Sequence, residues 1–424
     1  MKKLKAKINT TFNTKSKKRI LENIISLSFL QMISYIYPLI TFPYLIKTLT
    51  IEVYGLLAFA LAMIGYFSIF TDFGLNLTMT KKIALYRNDR NKLIELLSSG
   101  ISIKFILAIF SFIILNIIVF SFDKFSNNWL IHLLYFGIVI NQVVYPYWLF
   151  QGIEKTKYIT ILSFIFKTLY VVLIFSFITT PDDAISLPII LFTVGFLEGL
   201  VSLFIIFVLL KLEFKIQSFE RIKYYMKKSY YIFISNVSIN LSSTTTIFLL
   251  GILTNNTIVG YYAAAEKLIF AAKGLITPIT YSIFPYLSKL SKKSKKYSLL
   301  IIRKISLFLI IFTTIASIFG VITAKYILEF LIGNQHQESI IILQILSFTI
   351  LTSSLINMFG VQTMLTFGRN RAYSKILMIG AFMNLLLNFI LIPKFQHIGA
   401  ALSVLIVEIL IVLMMFIYIK KRII

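Results

Sequence analysis

Cysteine is absent from this chain of 424 residues, which also has only 3 histidines, 2 tryptophans and 16 acidic residues. Without cysteine the protein forms no disulfide and no thiolate metal site. Carboxylates do not cluster near any loop, and no metal triad, nucleophile elbow or phosphate-binding glycine loop is visible. The sequence therefore predicts no catalytic site, no cofactor and no metal centre.

Long polar segments are also missing. Hydrophobic residues make up 58% of the chain and charged residues 14%, a balance outside the range of soluble globular proteins. A helix needs about 20 apolar residues to cross a bilayer, and the chain offers twelve such runs with short gaps between them. They cover residues 23–46, 53–72, 98–121, 129–150, 159–180, 186–210, 231–254, 258–287, 304–324, 339–366, 376–392 and 398–419.

Basic residues lie in every second gap. Of the 42 Lys and Arg residues, 34 fall in alternate gaps and at the termini, and the opposite gaps hold only Lys47, Lys124, Lys325 and Lys394. Since short loops rich in Lys and Arg stay in the cytoplasm, both termini are predicted to be cytoplasmic. The net charge of +26 follows from this bias, so we do not expect nucleic acid binding. No cleavable signal is evident, and the first helix is predicted to remain as an anchor.

The two halves of the chain look like a parallel duplication. Val53-Tyr54-Gly55 opens the second run and Val259-Gly260-Tyr261 opens the eighth. Six spans in each half would give two lobes related by an axis along the membrane normal. The predicted segments are a basic cytoplasmic N-terminus (1–22), an N-terminal lobe (23–210), a basic linker (211–230), a C-terminal lobe (231–419) and a cytoplasmic tail (420–424).

Several ionisable residues fall inside the apolar runs. Such groups are costly at membrane depth, so each is expected to face a cavity or a partner. Glu266 and Lys273 are seven residues apart, which places them on one face of a helix together with the neighbouring Lys267. Buried lysines around a central space would form a cationic cavity for an anionic head group. The candidates for substrate binding are Lys267, Lys273, Lys104, Lys167 and Glu266.

The remaining intramembrane carboxylates are candidates for binding a coupling proton or sodium ion: Asp72, Glu198 and Glu408. Structural alternatives stay open for all of these residues. Asp72, Lys104 and Lys167 lie near predicted cytoplasmic ends, where they could reach the membrane surface. Lys267 and Lys273 could form a structural ion pair between the lobes.

Six motifs resemble a known family in the same order. They lie at residues 38–45, 52–56, 71–78, 150–155, 260–267 and 284–289. Together they are similar to Wzx-type O-antigen flippases of the multidrug/oligosaccharidyl-lipid/polysaccharide exporter superfamily. By motif position, Asp72, Glu266, Lys267 and Lys273 correspond to charged family positions. The likeness covers about residues 23–419.

The resemblance implies an all-α integral membrane protein of about twelve helices in two six-helix lobes around a central cationic cavity. It also implies a location in the bacterial inner membrane and transport of an undecaprenyl-pyrophosphate-linked oligosaccharide by alternating access driven by an ion gradient. A polysaccharide polymerase and a chain-length regulator would be partners beside the membrane lipid. Three alternatives remain. The first is a flippase whose cargo is lipid II, a capsular unit or a teichoic unit. The second is a multidrug/cation antiporter, and the third is a membrane polysaccharide polymerase. The first span lacks the acidic residue typical of the multidrug branch.

Overall fold

The computed structural model describes residues 14–291, 293–333 and 337–423, and this part of the chain is helical with no β-strand. Residues 1–13 of the predicted N-terminal segment and residue 424 of the predicted tail lie outside it. The helices are α1 (Thr14–Leu49), α2 (Ile51–Asp72), α3 (Leu75–Leu85), α4 (Arg90–Ser121), α5 (Asp123–Ser126), α6 (Trp129–Tyr135), α7 (Gly137–Val144), α8 (Tyr147–Gly152), α9 (Lys157–Phe177), α10 (Ser186–Phe204), α11 (Phe219–Leu253), α12 (Asn256–Ser291), α13 (Lys295–Ile332), α14 (Gln337–Ile356) and α15 (Asn370–Arg422).

The predicted all-α membrane fold is confirmed. Within the described ranges, nine segments are long and apolar enough to cross a membrane. Twelve runs were expected, and three of them are not counted separately. Gln396, at φ 48 and ψ −125, divides the 53 residues of α15 into two helices that count as one segment. The other two expected runs, 231–254 and 258–287, lie in α11 and α12 and include residues whose side chains the structure does not describe, so the count of nine does not test them.

Two breaks interrupt the helices of the N-terminal half. α2 ends at Phe73 and Gly74, both in the left-handed region with φ 45 and 69. The fourth predicted run is three short helices, α6 to α8, and the last break falls at Tyr145-Pro146. Proline has no N–H to donate and its ring crowds the preceding turn, which favours a break here, although α1 continues through Pro38 and Pro43. Such breaks are tolerated in a membrane only where protein or a cavity surrounds them.

The two halves meet along α2, which runs beside α11 and α12. At the start of α2, a Cβ added to Gly55 would lie 1.8 Å from the main-chain oxygen of Asn256, and one added to Gly260 would lie 2.1 Å from that of Ile51. Lys124 Nζ also donates to the carbonyl of Thr254 at 2.6 Å. At the other end of α2, the ring of Phe73 stacks on Phe233 at 4.5 Å. The halves therefore touch at both ends of α2.

Enlarging Gly260 is expected to open the contact at the start of α2, the end that the charge pattern predicts to be outside. The α2 and α12 backbones are too close there to admit a side chain. Because the chain has no cysteine, an Ala58→Cys variant carries one thiol for labelling with an impermeant maleimide from outside. Labelling should rise from glycine to Gly260→Ala to Gly260→Leu. Unchanged labelling of folded protein across this series would contradict a closing role.

Candidate functional site

A cavity of about 470 Å³ lies between the two halves, beside α2. Its walls come from α1, α2, α6, α7, α9 and α10 on one side and from α11 and α12 on the other. Most of the lining is apolar, and three tyrosines, Tyr54, Tyr135 and Tyr170, add ring surface and hydroxyls. The cavity thus offers both stacking surfaces and hydrogen-bonding groups to a ligand.

Two charged residues of the described part line this cavity, Glu266 and Lys267. They are successive residues of α12, one turn after the buried small residues Ala263 and Ala264. Among the described residues, neither side chain has a hydrogen-bond or ion-pair partner. Lys267 supplies the positive charge of the cavity and Glu266 the negative charge. A charge at membrane depth without a protein partner is costly, so the prediction that these two residues contact a ligand or an ion is compatible with their position.

Lys273 is not among the cavity-lining residues. It lies about two turns further along α12, where its Nζ is 3.0 Å from Oε1 of Glu408 on the second helix of α15. Two neighbouring hydroxyls of α14, those of Thr352 and Ser353, also donate hydrogen bonds to the Glu408 carboxylate. The pair joins α12, α14 and α15 within the C-terminal half, and so it is not an ion pair between the halves.

Lys104 is buried in the N-terminal half, with 1% of its side chain exposed. Its Nζ lies 3.1 Å from Oδ1 of Asp72 and donates to Oδ1 of Asn76 at 2.7 Å. These contacts join α4 to the break between α2 and α3. Lys104 therefore does not reach the membrane surface, and its surroundings are those of a structural lysine.

Lys167 and Glu198 form a further polar group in the N-terminal half. Lys167 Nζ donates to Ser34 Oγ at 2.8 Å, linking α9 to α1. Glu198 Oε1 accepts from Ser163 Oγ at 3.1 Å, linking α10 to α9. Neither residue lines the cavity.

The structure thus brings two of the eight candidate residues together in the cavity and distributes the other six over three clusters. Sequence reasoning did not select the cavity tyrosines or the hydroxyls of Thr352 and Ser353. Their only signal was the occurrence of polar atoms within apolar runs, which many structural residues share. The ligand role of Glu266 and Lys267 and the roles of the other six remain predictions.

Comparison with known proteins gives matches over nearly the whole chain. The sequence model of the family described as "Polysaccharide biosynthesis protein" matches residues 20–291. A protein of Escherichia coli (strain K12), provisionally named an O-antigen transporter, is 29% identical over 400 residues, which are 94% of this chain and 96% of that protein.

Two solved structures share the fold. The lipid II flippase MurJ, in an inward closed conformation, superposes with a TM-score of 0.71 at 17% identity, covering 94% of this chain and 87% of MurJ. An inward-facing multidrug resistance MATE family transporter of the MOP superfamily gives a TM-score of 0.70 at 14% identity, covering 92% and 98% of the two chains. At these identities the likeness concerns the fold, which is built from two helical lobes.

Proposed function

Since the chain belongs to the polysaccharide biosynthesis protein family, we propose that it is a flippase for an undecaprenyl-pyrophosphate-linked oligosaccharide, the repeat unit of O-antigen or a similar surface polysaccharide. The name of its Escherichia coli relative supports a transporter rather than an enzyme. The observation that carries the proposal is the cavity between the halves, where Glu266 and Lys267 have no partner among the described residues.

The physical problem of this transport is the head group. Sugars and pyrophosphate lose their hydration in hydrocarbon, at a cost of several kcal/mol for each polar group left unpaired. In the cavity, Lys267 would pair with a phosphate oxygen, and the rings and hydroxyls of Tyr54, Tyr135 and Tyr170 would contact sugars. The lipid tail would remain in the bilayer, where it needs no cavity.

Alternating access requires that the contacts at the two ends of α2 open in turn. The glycine contact at Gly55 and Gly260 closes one end and the Phe73–Phe233 stack lies at the other. With both termini in the cytoplasm of a bacterial inner-membrane protein, the first of these contacts would face outward. An ion gradient would drive the cycle, and a polymerase and a chain-length regulator would receive the flipped units.

Deleting the gene tests this function. Complete lipid-linked units should accumulate on the cytoplasmic face, where an impermeant probe cannot label them in intact spheroplasts. A plasmid copy of the gene should restore labelling. Normal labelling of single units without polymer would instead identify a polymerase, and drug sensitivity with normal surface glycans would identify a multidrug exporter.

A further inference from the structure

We propose that the Lys273–Glu408 ion pair is a charge-exchange site: the anionic head group takes Lys273, and a monovalent cation, H⁺ or Na⁺, takes the place of Lys273 on Glu408. The inference rests on the proposed function, because it assumes a substrate with a phosphate-bearing head group. It adds a step by which binding of that group and binding of a cation depend on each other. A cation bound together with the head group moves outward with it, so this site is not the one through which an inward ion gradient would drive the cycle.

The position of Lys273 fits this role. It lies two turns from Glu266 on the same face of α12, and Glu266 lines the cavity. The Lys273 side chain is 27% exposed and that of Glu408 is 17% exposed, whereas Lys104 of the other intramembrane pair is 1% exposed. Lys273 is therefore more accessible to a ligand than Lys104 is.

Glu408 keeps its position when Lys273 leaves. Thr352 and Ser353 both donate hydrogen bonds to its carboxylate from α14, a helix that does not carry the lysine. The carboxylate and the two hydroxyls form an all-oxygen donor set, which suits a hard cation such as Na⁺. A proton would be held by the carboxylate itself, with either hydroxyl as its acceptor.

Exchange follows from the cost of an uncompensated charge. A head group that draws Lys273 away leaves Glu408 as an unpaired carboxylate inside the membrane, which is strongly unfavourable. A cation that binds Glu408 removes this cost, so it should raise the affinity for the head group. By linkage, the head group should raise the affinity for the cation by the same factor.

The surroundings of Glu408 define which groups respond to pH. Lys273 is its direct partner, and Glu266 lies two turns before Lys273 on the same face of α12. The contacts from α14 come from uncharged hydroxyls. Among the described residues around it, Glu408 is therefore the carboxylate whose neutralisation would release Lys273.

Inorganic pyrophosphate serves as the probe, with its affinity for the purified full chain in nanodiscs measured by calorimetry. One series raises Na⁺ against choline at fixed pH, and a second lowers the pH in choline alone. We expect one of the two to tighten binding to the wild-type protein by roughly tenfold, within the range of known couplings between sites. The series that responds identifies the cation.

Two variants separate exchange from a structural role. Glu408→Gln should bind pyrophosphate as tightly as the cation-saturated wild type, because Lys273 is already released. It should not respond to Na⁺, and its pH response should be only that of the protonation of pyrophosphate itself. Lys273→Gln should bind it more weakly under all conditions. A structural pair predicts the opposite for Glu408→Gln, namely weaker binding together with a lower melting temperature. Glu329→Gln, in the exposed pair with Lys325, is the control and should behave as wild type.

The charge-exchange site is ruled out if the wild type responds to Na⁺ and to pH no more than Glu408→Gln does. It is also ruled out if folded Glu408→Gln binds pyrophosphate more weakly than the wild type. Neither result depends on the glycan phenotype of the deletion strain. If the deletion strain accumulates cytoplasmic units but the purified protein shows no linkage, the flippase function stands and the charge-exchange site is rejected. If the glycan phenotype is normal but the linkage is present, the flippase function is rejected and a site that binds an anion and a cation together stands.

Discussion

Lys267→Ala is expected to abolish surface polysaccharide in a strain that depends on this gene. The substitution removes the positive charge of the cavity and leaves Glu266 there as the remaining charged residue of the described lining. Losing one partner of a desolvated charged contact costs about 2–5 kcal/mol of binding, which corresponds to well over a tenfold loss. Immunoblotting of the polymer, together with membrane levels of a tagged protein, measures the effect.

Matched variants locate the cause. Lys267→Arg keeps the charge and should retain part of the polymer, and Lys273→Ala should also abolish it. Lys325→Ala removes a lysine from an exposed pair at a predicted outer loop and should leave the polymer unchanged. Wild-type polymer in both Lys267→Ala and Lys273→Ala, with each protein in the membrane, would refute the role assigned to these lysines.

Lys104→Met should destabilise the N-terminal half by about 3–5 kcal/mol, the usual cost of breaking a buried ion pair from one side. Asp72, whose side chain is 15% exposed, would lose its charged partner at the break after α2. Trp148 is fully buried beside Gly100 of the same helix as Lys104, so its fluorescence reports unfolding of this half. The measurement is the denaturation midpoint in detergent and the yield of folded protein.

Removing both charges should restore much of that stability. A Lys104→Met/Asp72→Leu variant leaves no unpaired charge, and apolar replacements of buried ion pairs are often neutral or stabilising. Lys325→Met is the surface control and should change the midpoint little, because exposed pairs contribute about 0–1 kcal/mol. If Lys104→Met alone is as stable as the wild type, the Asp72 carboxylate does not need Lys104 as its partner.

The sequence predicts the spanning helices well because their signal is local. A run of apolar residues has to cross the bilayer wherever it lies in the chain, and Pro146 predicts a bend from its own chemistry. The break at Phe73 had no comparable signal, since a bulky residue rarely adopts φ 45. The neighbouring Gly74 gave the only indication.

The partners of the intramembrane charges could not be predicted, because they depend on how distant helices pack. Lys104 pairs with Asp72 across two helices, and Lys273 pairs with Glu408 across 135 residues of sequence. A single sequence contains neither distance. Glu266 and Lys267 differ because they belong to one helix and one motif, so their proximity was already present in the sequence.

The glycine contact between the halves bears on how fast the protein could work. Gly55 and Gly260 bring main chain against main chain, and glycine has no rotamers to order when two surfaces join. Closure at these two positions therefore orders no side chain. The cost of opening this end comes instead from the apolar side chains nearby, such as Phe59 of α2, which stacks on Phe248 of α11 at 5.8 Å. The turnover rate would then depend on how readily these apolar contacts separate, as well as on the cargo and its ion.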